Sequence, residues 1–154
     1  MKRILFVCRA NICRSPLAEG IALKIANEGN LNLTINSAGT INRYENEVPC
    51  ISSLRIAALN DIDISKIRAR QVKTSDYLNF DYIVAMDNEN LKDLEAIGFN
   101  NVYLLGNFGG YNGVDIPDPY FLKDFDDDIK DVYGVYTMID ACVKDFIIFI
   151  TNMK

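Results

Sequence analysis

The chain has 154 residues, 49% hydrophobic and 24% charged, with a formal net charge of −5 at pH 7 and no histidine. That size fits a single domain over residues 1–154, and the balance is that of a globular protein rather than a disordered one. The acidic total argues against nucleic acid or an anionic membrane as the main partner, although a small arginine patch can still bind an anion.

Ile4 to Val7 is an unbroken apolar run, which predicts a strand covered on both faces. It is too short for a signal peptide, and no later run reaches membrane-spanning length, so a cytoplasmic protein is expected. Ser15 and Pro16 read as an N-cap and a first helical position, and Leu17, Ile21 and Ile25 recur every four residues to about Gly29. Leu33 to Asn36 predicts a second strand, running into Ser37-Ala38-Gly39-Thr40, and a helix covers about Ile51 to Asn60. Phe80 to Met86 predicts a third strand. Asp87 or Asn88 then caps a helix carrying Leu91, Leu94 and Ile97, and Val102 to Leu105 is a fourth strand. A loop rich in glycine and proline extends from Gly106 to about Asp124. The last helix is the most regular, with apolar residues at 3-and-4 spacing from Ile129 to Ile150 and Asp126, Asp127 and Asp128 beside its positive end.

Strands alternating with helices imply an α/β fold, a four-stranded parallel sheet flanked by helices on both faces. Ligands of such folds sit outside the carboxyl ends of the strands, where Cys8, Ser37 and Asp87 all fall. The cysteines at 8, 13, 50 and 142 make no C-x-x-C pair or zinc pattern, so free thiols and no metal site are expected. Cys50 and Cys142 read as structural residues.

The segment Cys8-Arg9-Ala10-Asn11-Ile12-Cys13-Arg14-Ser15 joins the first strand to the first helix. Successive backbone N–H groups in such a loop can cradle phosphate or another tetrahedral oxyanion, and Arg14 adds a planar fork for two oxygens. The same positive field favours the thiolate of Cys8 without an imidazole. A thiolate beneath a bound phosphate monoester is placed for in-line attack on phosphorus. The leaving oxygen then needs a proton, and without histidine the donor is a carboxylic acid. Asp118, between Pro117 and Pro119, is the best candidate, and Tyr120 offers an aromatic wall.

Cys8-x5-Arg14-Ser15 after a first strand, with Asp118-Pro119-Tyr120 late in the chain, resembles the low-molecular-weight protein tyrosine phosphatases. Ser37-Ala38-Gly39-Thr40, Arg68-Ala69-Arg70-Gln71, Phe80-Asp81-Tyr82-Ile83, Met86-Asp87 and Asn90-Leu91 match family landmarks in order. The resemblance implies a flavodoxin-like fold of the phosphotyrosine phosphatase I type. It also implies hydrolysis of phosphotyrosine in proteins, and of aryl phosphates, through a phosphocysteine and without a cofactor. On this resemblance Cys8 is the nucleophile, Arg14 the clamp and Asp118 the acid and then the base. Ser15 steadies the sulfur, Asn11 braces the loop with Ser15 and Ser37, and Asp87 partners Arg14. Cys13 matches a loop cysteine that can bond to the nucleophile and spare it from irreversible oxidation.

Three residues depart from the family pattern. Ala10 stands where glycine is usual, and is benign if its φ is negative. Arg9 replaces an apolar residue and is either solvated or part of the pocket rim, where it favours acidic peptides. Ile67 replaces a histidine that bonds the loop asparagine, so Asn11 loses a possible partner. Arg43 and Tyr44 align with the variable wall and make the rim basic. Two rival readings are an arsenate reductase, which needs more cysteines near Met86 than this chain has, and a phosphocarrier or phosphotyrosine-binding protein that holds the anion without turnover, which needs no Asp118.

Overall fold

The computed structural model describes residues 1–118 and 129–152. Strands β1 (Lys2–Cys8), β2 (Leu33–Gly39), β3 (Tyr82–Ala85) and β4 (Tyr103–Leu104) form a parallel sheet in the order β2-β1-β3-β4. The helices are α1 (Arg14–Glu28), α2 (Ile51–Leu59), α3 (Asp76–Asn79), α4 (Asn88–Ala96) and α5 (Ile129–Thr151).

Strand β1 lies inside the sheet because both of its faces are apolar. Ile4 and Phe6 pack in one cluster with Leu17 and Ile21 of α1 and Val143 and Phe146 of α5. Leu5 and Val7 pack on the other face with Ile83, Leu94 and Phe99. Residues 4–7 are wholly buried, and each such side chain contributes about 1.5–3 kcal/mol. The chain leaves β1 for β2 on one side and returns to β3 on the other. The loops after β1 and β3 therefore open side by side, at the crevice where such sheets bind ligands.

The expected fold class holds, and the differences are local. β2 takes in Ser37 to Gly39, since Ser37 pairs with Phe6 and Gly39 with Cys8. β3 is shorter than the apolar run, because Asp81 turns to Arg3, accepting its backbone N–H at 2.8 Å. Four-residue α3 carries too little periodicity to be seen in the sequence. Asp87 does cap α4, accepting the Asn90 N–H. Ser15, by contrast, is not the cap of α1. Cys13 holds that position, and Ser15 lies inside the first turn with its hydroxyl committed elsewhere. The expectations for Tyr120 and for Asp126, Asp127 and Asp128 fall outside the described residues. Among the described residues, no helix is long and apolar enough to cross a membrane.

Candidate active site

The segment after β1 folds over the sulfur of Cys8. A left-handed turn at Asn11 (φ 59°) brings its N–H to 3.3 Å from Cys8 Sγ. Within residues 8–15 only Asn11 has positive φ, so Ala10 carries its Cβ without strain. The Cys8 carbonyl accepts from Thr40 N–H and the Arg9 carbonyl from Ile41 N–H, both at 3.0 Å. This close approach needs Gly39. A Cβ there would lie 2.7 Å from the Arg9 carbonyl oxygen and 3.1 Å from the Asn11 nitrogen.

Asn11 is buried and its amide is fully used. Its Oδ1 accepts the Arg70 N–H at 3.0 Å, which turns Nδ2 toward two serines. Nδ2 donates to Ser15 Oγ at 2.7 Å and to Ser37 Oγ at 3.0 Å. Each serine is thereby an acceptor toward Asn11 and keeps one proton to give. That of Ser37 goes to Glu19 Oε1 at 2.6 Å, and Ser15 Oγ lies 3.0 Å from Cys8 Sγ, in hydrogen-bond contact with it. The loss of a partner expected from Ile67 does not leave Asn11 short. Arg70 supplies the missing donor from its backbone, and Ile67 packs against the core. Burial pushes the Glu19 carboxyl above its ordinary range, against the Ser37 hydrogen bond and the charge of Arg70.

Arg14 is 2% exposed. Its Nη1 donates to Asp87 Oδ2 at 2.7 Å and to the Ile116 carbonyl at 2.9 Å, and its Nη2 lies 3.5 Å from Asp118 Oδ2. Burial disfavours the cation, but Cys8, Asp118 and Asp87 outweigh it and raise the guanidinium further. The cation is therefore permanent, and Asp87 and Asp118, from different loops, hold it on two sides.

Cys8, Arg14 and Asp118 line one cavity of about 260 Å³. Ala10, Ile12 and Cys13 line it from the loop, and Ile41, Arg43 and Tyr44 from the segment after β2. At the mouth Arg9 pairs with Glu89 at 3.4 Å, and the Arg43 guanidinium sits 5.6 Å from the centre of the Tyr44 ring. Arg9 lines the cavity and is also half-exposed.

The thiol expectation is corrected. Cys13 and Cys50 form a disulfide, with Cα atoms 5.4 Å apart, and Cys8 and Cys142 are free. Cys13 is bonded to Cys50 rather than to Cys8 because α2 docks on the loop. Cys50 N–H donates to the Ile12 carbonyl at 2.7 Å, and Ser53 Oγ donates to the Cys13 carbonyl at 3.0 Å. Cys142 is the structural residue expected. It is buried, and its thiol is pushed up to about 11 by that burial, with Asp145 adding to it.

Sequence reasoning missed Glu19, the Arg70 N–H, the Ile116 carbonyl and Ile41. Glu19 had one signal, its place four residues after Ser15 on the same face of α1. The backbone groups had none.

The family profile described as low molecular weight phosphotyrosine protein phosphatase matches residues 3–153. The low molecular weight phosphotyrosine protein phosphatase of Sus scrofa is 32% identical, covering 95% of this chain and 94% of its own. The crystal structure of YfkJ from Bacillus subtilis superposes with a TM-score of 0.88 at 32% identity, over 98% of this chain and 95% of that one. A Drosophila arginine phosphatase superposes with the same TM-score at 27% identity over the full length of both chains.

Proposed function

The chain belongs to the low molecular weight phosphotyrosine protein phosphatase family, and from that premise we propose that it hydrolyses phosphotyrosine in proteins through a phosphocysteine on Cys8. In this reading the phosphoryl group enters the cavity with its oxygens on the loop amides and the Arg14 fork. The Cys8 thiolate attacks phosphorus in line with the leaving phenolic oxygen, and Asp118 delivers a proton to that oxygen. Asp118, now a carboxylate, takes a proton from water as the water attacks the phosphocysteine. Sulfur leaves as a thiolate, held by the Ser15 hydroxyl and the Asn11 N–H. Protons and charge balance over the two steps, and no cofactor is used.

One observation carries this reading: Cys8, Arg14 and Asp118, more than a hundred residues apart in sequence at the extremes, line the same cavity. A pure phosphate carrier has no use for a carboxyl beside the guanidinium. The finer assignments are part of the same proposal: Asp87 orients Arg14, Asn11 and Ser37 brace the loop, and Arg9, Arg43 and Tyr44 form the rim. The test is turnover of an aryl phosphate, an alkyl phosphate and phosphoarginine, with and without vanadate. Aryl preference with vanadate inhibition, lost in Cys8→Ser, is the expected result. Full activity of Cys8→Ser, or phosphoarginine as the preferred substrate, overturns the reading.

A further inference from the structure

We propose that Glu19 is a positioning residue for Cys8, acting through Ser37 and Asn11 to fix which way the buried hydrogen bonds run. The inference rests on the reading of Cys8 as the nucleophile, but its test does not need turnover.

With Cys8 as the thiolate, which cannot donate, the geometry leaves one consistent assignment of protons. The Arg70 N–H fixes Asn11 Oδ1 as an acceptor, so both Nδ2 hydrogens point at Ser15 and Ser37. Ser37 is buried and cannot return its own proton to Nδ2, which has no lone pair to accept it. Glu19 Oε1, at 2.6 Å, is the acceptor that takes it. A serine that donates to a carboxylate is a better acceptor itself, because hydrogen bonds in series polarise one another. Ser37 therefore holds one hydrogen of Nδ2 firmly, which keeps the other on Ser15 and leaves the Ser15 proton for the sulfur.

Without an acceptor at position 19, the Ser37 hydroxyl is left with a buried, unpaired proton. It regains a partner only if the Asn11 amide turns over. That turn presents Oδ1 to the serines, costs the Arg70 N–H bond, and draws the Ser15 proton away from Cys8. Glu19 touches neither the sulfur nor the cavity, so its effect reaches the reaction only along this chain of bonds.

The experiment measures the rate at which Cys8 is carboxamidomethylated by iodoacetamide at pH 6, by mass spectrometry of the Cys8 peptide. Glu19→Leu removes the acceptor and Glu19→Gln keeps an acceptor oxygen. Glu19→Leu should react about ten-fold more slowly than the native chain, the worth of one hydrogen bond to the sulfur. Glu19→Gln should restore most of the rate. Ser37→Ala should slow the reaction as Glu19→Leu does, and the double variant should be no slower than either alone. A native rate in folded Glu19→Leu overturns the proposal, and so do fully additive effects of Glu19→Leu and Ser37→Ala. Should Glu19→Leu fail to fold, equal rates in Ser37→Ala and the native chain overturn it instead. Loss of the phosphatase reading shows separately, as native protein that alkylates at Cys8 but releases no phosphate.

Discussion

Asp87 divides its carboxylate between two structures: Oδ2 holds Arg14 at 2.7 Å, and Oδ1 holds the Asn90 N–H, also at 2.7 Å. One side chain therefore holds the guanidinium of the cavity that Cys8 also lines, and anchors the first turn of α4 to the same point. The cavity and the sheet's second helical layer share a rivet.

Substitutions at Asp87 should separate these two tasks. Asp87→Asn keeps a good N-cap but replaces the charge facing Arg14, so stability should change little while kcat/KM for an aryl phosphate falls about ten-fold or more. Asp87→Ala should add a loss of about 1 kcal/mol from the missing cap. Urea unfolding and steady-state kinetics on the two variants read the two effects independently.

Asp118→Ala should reveal the proton donor through its dependence on the leaving group. Loss of a general acid costs about 10²–10⁴-fold where the leaving oxygen is basic, and much less where it is a stable anion such as p-nitrophenolate. Equal losses for phenyl phosphate and p-nitrophenyl phosphate would remove Asp118 from that role.

Gly39 and Ala10 should answer oppositely to a change of one methyl group. A Cβ at Gly39 meets backbone atoms of the loop at 2.7–3.1 Å, so Gly39→Ala should cost about 1–3 kcal/mol and impair activity by displacing the loop. Ala10→Gly should cost no more than about 0.5–1 kcal/mol, the price of a freer backbone at a negative φ. Thermal melts and aryl phosphate kinetics distinguish the pair.

Glu19 should trade stability against reactivity. Its carboxyl is raised in the folded chain, chiefly by burial. Its contribution to stability is therefore full below the ordinary glutamate value and is lost as pH rises through the folded one. Glutamine does not titrate, so the Tm of Glu19→Gln relative to the native chain should climb over the window above the ordinary glutamate value. A difference that stays flat across that window contradicts the assignment.

The parts of the fold legible in the sequence are those with a period or a run. β1, α1 and α5 announce themselves because both faces of a strand, or one face of a long helix, must be apolar. That Cys8, Arg14, Asp118 and Asp87 come together was legible because residues of complementary chemistry fall in segments at the same end of the sheet. Ser15 misled, since a serine before a proline reads as a helix cap, whereas Asn11 and Cys8 claim its hydroxyl. Glu19 and Cys50 were illegible for a different reason. Each acts through a contact set by the crossing of elements distant in the chain, Glu19 on Ser37 of β2 and Cys50 on Cys13 at the start of α1.

The Cys13–Cys50 bond ties α2 to the loop across 37 positions of sequence, and Cys50→Ser should lower stability by about 2–4 kcal/mol in denaturant unfolding under non-reducing conditions. It should also govern what happens to Cys8 under oxidative attack. Peroxide converts an exposed thiolate to a sulfenic acid, which a nearby thiol can capture and a reductant can later restore. With Cys13 already spent on Cys50, the loop has no such thiol to offer, and damage at Cys8 should run on to the irreversible acids. A chain reduced beforehand has Cys13 available and should recover its activity after the same exposure. The bond that braces the loop thus leaves its sulfur uninsured.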